Sequence, residues 1–393
     1  MSFDVVNDHL LRWAEDLVDL SRRNRLLYFR HYKSGSLRFR QDPSQVEARL
    51  GRGWYFFLPL NPPDDPDQPY DQAEPQDNEL VVDMHPPRYG PMIRRSLKNI
   101  KKKGDAMFLD AGLWIVYMGL GMLRWKDDDG AFVSSPLLLV PVRILEHGRK
   151  RRWQLKVSED GEPVLNPALA VKFERDFGIE LPTLDDLDVP DFAHVAEAVR
   201  AKVAGLRATV EKETILTTFF FHKEVIYRDL LRNKGTISRH PLVRMLAKGP
   251  DSDEARDLHF TAVPGDQLDR AHPPEDMACI LDADGTQRRC LVAARQGHSF
   301  VMDGPPGTGK SQTIANMIAQ FLADGKSVLF VSEKAAALEV VHNRLREREL
   351  HRFALALHSR TASRKEVAQE LGRALSERVQ VDSRLDPTDR DRL

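Results

Sequence analysis

The 393-residue sequence has little cysteine, no long apolar run and almost no net charge. Its two cysteines, Cys279 and Cys290, have ten residues between them and no second pair. That spacing is neither a zinc pattern nor a disulfide framework; they read as ordinary thiols in a reducing compartment. The thirteen histidines are scattered, without a His-x-x-x-His pair that would suggest a metal. The first half also lacks the Asp…Glu-x-Lys strand pattern of a nuclease. The opening MSFDVVNDHLLRWAEDL has no basic segment followed by an apolar one, so no signal peptide is expected. The most apolar stretch, LWIVYMGLGML (113–123), is too short to span a bilayer. A cytoplasmic chain with no membrane partner is the expectation. A formal net charge of -1 leaves any argument about nucleic acid to local patches. With 41% hydrophobic and 30% charged residues, the chain has the material for real cores and is not a disordered one.

Periodicity divides what is there into two parts. Leu10, Trp13, Leu17 and Leu20 recur at three- and four-residue steps and predict a helix over 9–29. WYFFLPL (54–60) reads as a strand. Residues 61–79, rich in proline and acid with almost no large apolar side chain, read as a loop or disordered insert. A helix with one basic side follows over 94–112, then strands over 113–126, 136–147 and 152–159, with turns at Asp127–Gly130 and His147–Lys150. Asn166-Pro167 opens a helix that Gly178 ends. Residues 192–206 predict an amphipathic helix, 213–221 a strand and 222–233 a helix. The expected fold class is α/β. Residues 1–265 form a mixed α+β domain with several antiparallel strands. Residues 276–393 alternate short strands (299–304, 327–333, 353–359) with helices, which argues for a parallel sheet with covered faces.

GPPGTGKS (304–311) carries the sharpest chemistry. It matches G-x-x-x-x-G-K-S/T at Gly304, Gly309, Lys310 and Ser311, between an apolar segment and a helical one. Glycine at 307 and 309 lets the backbone turn with no Cβ obstructing phosphates. Loop amides and the helix N-terminus then face anionic oxygens. Lys310 reaches the β- and γ-phosphates, and the Ser311 hydroxyl can ligate Mg2+. The nucleotide-contacting set is Gly304, Pro305, Pro306, Gly307, Thr308, Gly309, Lys310, Ser311 and Gln312, with Lys310 and Ser311 in the catalytic roles.

GPPGTGKSQTIANMIA, with Gln287 upstream and FVSEKAAALEVVHNRL downstream, resembles the first motifs of superfamily 1 helicases, and more narrowly their Upf-like branch. LVDLSRRNRLLYF, SPLLLVPVRI, EPVLNPALA and FFFHKEVIYRDL resemble the domain of unknown function DUF4011 that precedes the motor in large bacterial helicases of that branch. The resemblance covers most of the chain. It implies the first part of a RecA-like P-loop NTPase domain, ATP and Mg2+ as cofactors, and DNA or RNA as partner. By position it makes Gln287 the adenine reader, since a carboxamide can accept from the N6 amine and donate to N7; a surface glutamine at a helix start is the alternative. Ser332 and Lys334 fall where such motors grip the nucleic-acid backbone, against the alternative of a helix cap and a solvated lysine. His358 and Ser359 occupy a weaker position of the same kind, where a plain strand end is the ordinary reading. Relatives of this type often accompany genome defence, an association by analogy alone.

Hydrolysis in this class needs an apolar strand ending in Asp-Glu, and neither SVLFVSE nor FALALHS does so. The later glutamine, the second motor domain and its arginines are missing too. Electrostatic stabilisation of the transferring phosphoryl group is where such sites gain rate. The expectation is a motor domain truncated before that strand: ATP binding with negligible turnover by this chain, and helicase activity in a full-length parent. A rival from another class is a nucleotide-gated binding module that works with a separately encoded motor half or a defence-system partner. A second rival is a P-loop enzyme with no nucleic-acid substrate, against which Gln287 and VSEK speak. Finally, Arg94, Arg95, Lys98, Lys101, Lys102 and Lys103 crowd into ten residues. They read equally as a phosphate-tracking patch or as a solvated helix face.

Overall fold

A computed structural model of the chain describes residues 2–32, 34–51, 56–58, 79–83, 89–147, 152–305, 307–357 and 364–376. Contacts divide it into two compact units: residues 1–108 with 113–240, and residues 241–393 with 109–112. The insert expected over 61–79 lies, save Glu79, outside the described residues, as do Pro306, His358, Ser359 and most of the turn at 147–150.

The first unit is built on an antiparallel sheet. Its strands are β1 (Ser36–Phe39), β2 (Phe56–Leu58), β3 (Val116–Lys126), β4 (Phe132–His147), β5 (Arg152–Val157), β6 (Val164–Leu165) and β7 (Thr209–Thr218). They pair in the order β1-β7-β3-β4-β5-β2, with β6 against β4. Its helices are α1 (Ser2–Leu17), α2 (Pro43–Gly51), α3 (Tyr89–Ala111), α4 (Pro167–Phe177), α5 (Phe192–Lys202), α6 (His222–Arg232) and α7 (Lys234–Ile237). The mixed α+β expectation with antiparallel strands is met.

The β3–β4 turn forms where the sequence placed it. Asp127 accepts from Ala131 N through its side chain at 2.9 Å, and Gly130 takes φ 77. In the middle of β3 the register against β7 shifts between Leu120 and Met122. Gly121 stands there at φ 74, and a Cβ on it would meet the Phe192 ring at 2.2 Å. Only glycine admits both the left-handed backbone and the close approach of α5. The core runs from Leu26 and Leu27 through Trp125, Trp153 and Phe173 to Phe219 and Phe221.

Two buried polar residues tie this core to the chain that crosses it. The Trp125 indole donates to Ser135 Oγ at 2.8 Å, which donates to the Leu27 carbonyl at 2.6 Å. Asn166 is fully buried. Its Oδ1 accepts from Ala168 N and Leu169 N at 3.1 and 3.2 Å, capping α4. Its Nδ2 donates to the carbonyls of Leu26 and Pro136 at 2.7 and 2.8 Å. Gly178 closes the same helix at φ 64 and ψ 23.

The helix expected over 9–29 ends earlier, at Leu17. Local side-chain bonds win there: Ser21 N donates to Asp19 Oδ1, Asn24 Nδ2 to the Asp19 carbonyl, and Leu26 N to Asn24 Oδ1. Short polar side chains offer the backbone an alternative to helical bonding. The turn that results buries Leu26 and Leu27 instead of continuing the helix.

The second unit contains α8 (Pro241–Lys248), α9 (Asp253–Leu258), α10 (Leu268–Ala271), α11 (Gly285–Arg295), α12 (Lys310–Ala323), α13 (Ala335–Glu347) and α14 (Arg364–Ser376). Helix α12 packs against α11 and α13. The strands expected at 299–304, 327–333 and 353–359 are not formed: their described residues make no β-ladder, and the parallel sheet is not found. Val301, Leu329, Val331 and Leu357 are 93%, 84%, 75% and 64% exposed. These segments have strand composition, but a strand exists only with a hydrogen-bonded neighbour.

Candidate nucleotide-binding site

Residues 307–309 lead into α12. Gly307 and Gly309 adopt φ 91 and 77, and Gly309 stands at the N-cap of the helix. These left-handed positions reject side chains, which explains the glycines the sequence spends there. A Cβ at Gly307 would meet nothing within 4 Å, so that side of the loop is open. A Cβ at Gly304 would lie 2.7 Å from Thr308 Oγ1, and one at Gly309 would lie 2.4 Å from Gln287 Nε2.

The loop is tied internally. Thr308 Oγ1 donates to the Pro305 carbonyl at 2.8 Å. Gln312 N and Thr313 N both donate to the Gly309 carbonyl at 2.9 Å. The Lys310 ammonium donates to the Gly304 carbonyl, so its charge lies over the mouth of the loop. Lys310 is exposed, while Ser311 and Gln312 are part-buried. The first amides of a helix have no acceptor within it, and with one ammonium they make a donor set that suits a polyphosphate.

Gln287 stands at a helix start, and its side chain also reaches the glycine loop. It is the third residue of α11, in a reciprocal cap with Asp284: Gln287 N donates to Asp284 Oδ1 at 2.9 Å, and Gln287 Oε1 accepts from Asp284 N at 3.2 Å. Its Nε2 also donates to the Thr308 carbonyl at 3.0 Å. The carboxamide therefore joins the start of α11 to the glycine loop.

The backing of α12 was not legible in the sequence. Asn316 is fully buried; it accepts from Ile280 N and Leu281 N at 3.0 and 2.9 Å and donates to the Leu281 carbonyl at 2.9 Å. Gln320 accepts from Ala278 N at 2.8 Å. These two polar residues latch the 278–281 segment along the helix that carries Lys310. Only their four-residue spacing on one helix face hinted at a shared partner.

Ser332 and Lys334 sit at the entry to α13. Ser332 Oγ accepts from Lys334 N at 3.3 Å, and Lys334, not Ser332, stands at the N-cap. The Lys334 side chain is exposed, and no hydrogen bond among the described residues links this pair to the glycine loop. Among the described residues no three His, Cys, Asp or Glu are placed to hold a metal. Cys279 and Cys290 are free thiols raised in pKa by burial. No described helix is long and apolar enough to cross a membrane.

Comparison with known proteins meets this geometry at both ends of the chain. Residues 16–173 match the family DUF4011, a protein of unknown function, and residues 282–384 match an AAA domain. The chain thus carries a DUF4011 match followed by an AAA-domain match. It is 58% identical over 270 residues to an uncharacterized ATP-dependent helicase of Mycoplasma genitalium, a match covering 64% of this chain and 24% of the relative. A homolog in Mycoplasma pneumoniae is 58% identical over 265 residues, covering 63% of this chain and 24% of the relative. The chain thus spans about a quarter of the length of the curated relatives it matches. No solved structure matches.

Proposed function

We propose that the loop at 304–312 binds ATP with Mg2+, and that the chain is the N-terminal portion of an ATP-dependent helicase or translocase acting on DNA or RNA. The observation that supports this most is the left-handed glycine turn of Gly307 and Gly309 feeding α12, with Lys310 folded over its mouth. When bound, ATP would supply the cleavable phosphoanhydride and Mg2+ would offset the negative charge of its oxygens. Lys310 would exchange the Gly304 carbonyl for phosphate oxygens, and Ser311 Oγ would be available to hold the metal. Gln287 orients the base from its place beside Thr308. Ser332, Lys334, His358 and Ser359 are proposed contacts to the strand being moved.

Turnover is a separate matter. The residues after the glycine loop include no apolar strand ending in Asp-Glu to hold the metal and orient water. The exposed Val301, Leu329, Val331 and Leu357 favour completion of the motor by further strands, from a longer parent or from a separately encoded half. The test is binding of a fluorescent ATP analogue and phosphate release by this chain, with and without single-stranded DNA or RNA. The expected result is binding with negligible turnover. Lys310→Ala removes a charge-assisted contact of about 1.5–3 kcal/mol and should weaken binding by about ten- to hundredfold. Unchanged affinity in that variant would overturn the site; brisk hydrolysis by the wild-type chain would overturn the incomplete motor.

A further inference from the structure

We propose that the exposed basic face of α3 in the DUF4011 unit holds the sugar–phosphate backbone of a nucleic acid, independently of ATP. Helix α3 is buried on one side, where Ile93, Leu97 and Ile100 enter the core. Arg94, Arg95, Lys98 and Lys102 all lie on the other side, exposed. At 3.6 residues per turn the four fall within an arc of about 100°. Arg94, Lys98 and Lys102 recur every fourth residue, about 6 Å apart along the axis. Among the described residues none of the four forms an ion pair, whereas Lys101 is paired with Asp105 at 2.6 Å.

The positive surface continues off the helix. Asn99 Nδ2 donates to the Ser34 carbonyl at 2.9 Å and fixes the neighbouring turn. Beside that turn the Arg25 guanidinium lies 4.0 Å, and the Lys103 ammonium 5.9 Å, from the centre of the Tyr32 ring. Burial works against ionising Tyr32. The hydrogen bond with Thr217 and the charges of Arg25 and Lys103 outweigh it and hold the phenol below its ordinary pKa. The local field is therefore positive well beyond one helix.

The occupant follows from what this face offers. Four unpaired cations in a row suit a polyanion with evenly spaced charges. A membrane-surface helix needs an apolar face free to enter the lipid; that of α3 is spent in the core. The choice of nucleic acid over an acidic protein rests on the helicase reading above. The contacts are to phosphate and carry no base specificity.

The test uses the full chain without ATP and fluorescence anisotropy of labelled single-stranded DNA, single-stranded RNA and duplex DNA. Two variants replace Arg94, Arg95, Lys98 and Lys102 together, by glutamate and by glutamine. Four phosphate contacts at roughly 0.7 each make the slope of log affinity against log salt shallower by about 3 for a single strand. Affinity at low salt should fall on the order of tenfold or more in both variants, while ATP-analogue binding and tryptophan fluorescence stay as in the wild type. Lys310→Ala should leave this ATP-free binding intact, so the two proposals fail separately. The α3 proposal is overturned if the wild type binds no oligonucleotide, or if the variants keep its affinity and salt slope. It is overturned equally if phosphatidylserine vesicles bind as tightly with the same loss, or if polyglutamate displaces the oligonucleotide as well as unlabelled DNA does.

Discussion

Replacing Asn166 by alanine should cost the first unit far more than a surface asparagine would. The side chain is fully buried and makes four hydrogen bonds to backbone from three parts of the chain. Losing the cap on α4 costs about 1 kcal/mol. Leaving the Leu26 and Pro136 carbonyls without their donor costs about 1.5 kcal/mol each. The expected total is roughly 4 kcal/mol, a large part of the 5–15 kcal/mol typical of a folded domain. Asn166→Asp separates the two halves of the argument. It keeps an acceptor for Ala168 N and Leu169 N but turns a carboxylate towards two carbonyls, so it should be at least as destabilising. Urea unfolding followed by tryptophan fluorescence reads this unit selectively, because all five tryptophans lie at or before Trp153. A loss below about 1 kcal/mol for the alanine variant, or a neutral Asn166→Asp, would refute the idea that the buried donor joins the three segments.

Glu47, on α2, accepts from Phe192 N at 2.6 Å. Burial, opposed by that bond and helped by the Asp191 charge, pushes its carboxyl up to about 7 from an ordinary 4.5. A folded pKa above the unfolded one means the folded state holds the proton more tightly. Stability is therefore lost as pH rises from about 4.5 to about 7 and stays reduced above that. The shift sets a ceiling of about 3 kcal/mol, and partial exposure brings it nearer 1 kcal/mol. Glu47→Gln should accordingly raise the melting temperature of the first unit by about 3 °C at alkaline pH and leave it unchanged near pH 4.5; calorimetry showing a uniform shift at both would contradict the assignment. Gln287→Ala should weaken the preference for ATP over GTP, read by competition with the fluorescent analogue, and should lower helix stability by about 0.5–1 kcal/mol through the lost cap. Equal competition by both nucleotides against wild type and variant alike would remove Gln287 from base reading.

Much of the first unit could be read from short-range signals. Asn166 and Gly178 mark the two ends of α4, and Asp127 and Gly130 mark the β3–β4 turn, because caps and turns depend on a few adjacent residues. The early end of α1 could not, since the apolar period runs on past Leu17 and only the hydrogen bonds of Asp19 and Asn24 break it. Nor could the pairing of β1 with β7, which joins Ser36 to Thr217 with no local cue. At the candidate site the glycine loop was plain in the sequence. Asn316 and Gln320 were not, as polar residues on a helix read as surface until a crossing backbone claims them. The three expected strands of the second unit were read from composition alone, which describes a strand's side chains and not its neighbour.

The pairing of β1 with β7 sets a timetable for biosynthesis. Ser36 leaves the ribosome roughly 180 residues ahead of its partner Thr217. At 5–20 residues per second the wait is on the order of 10–35 s. For that interval Leu37 and Phe39, buried in the finished protein, have no permanent neighbour on that edge. The nascent chain must keep its opening strand out of foreign company until Thr217 has emerged.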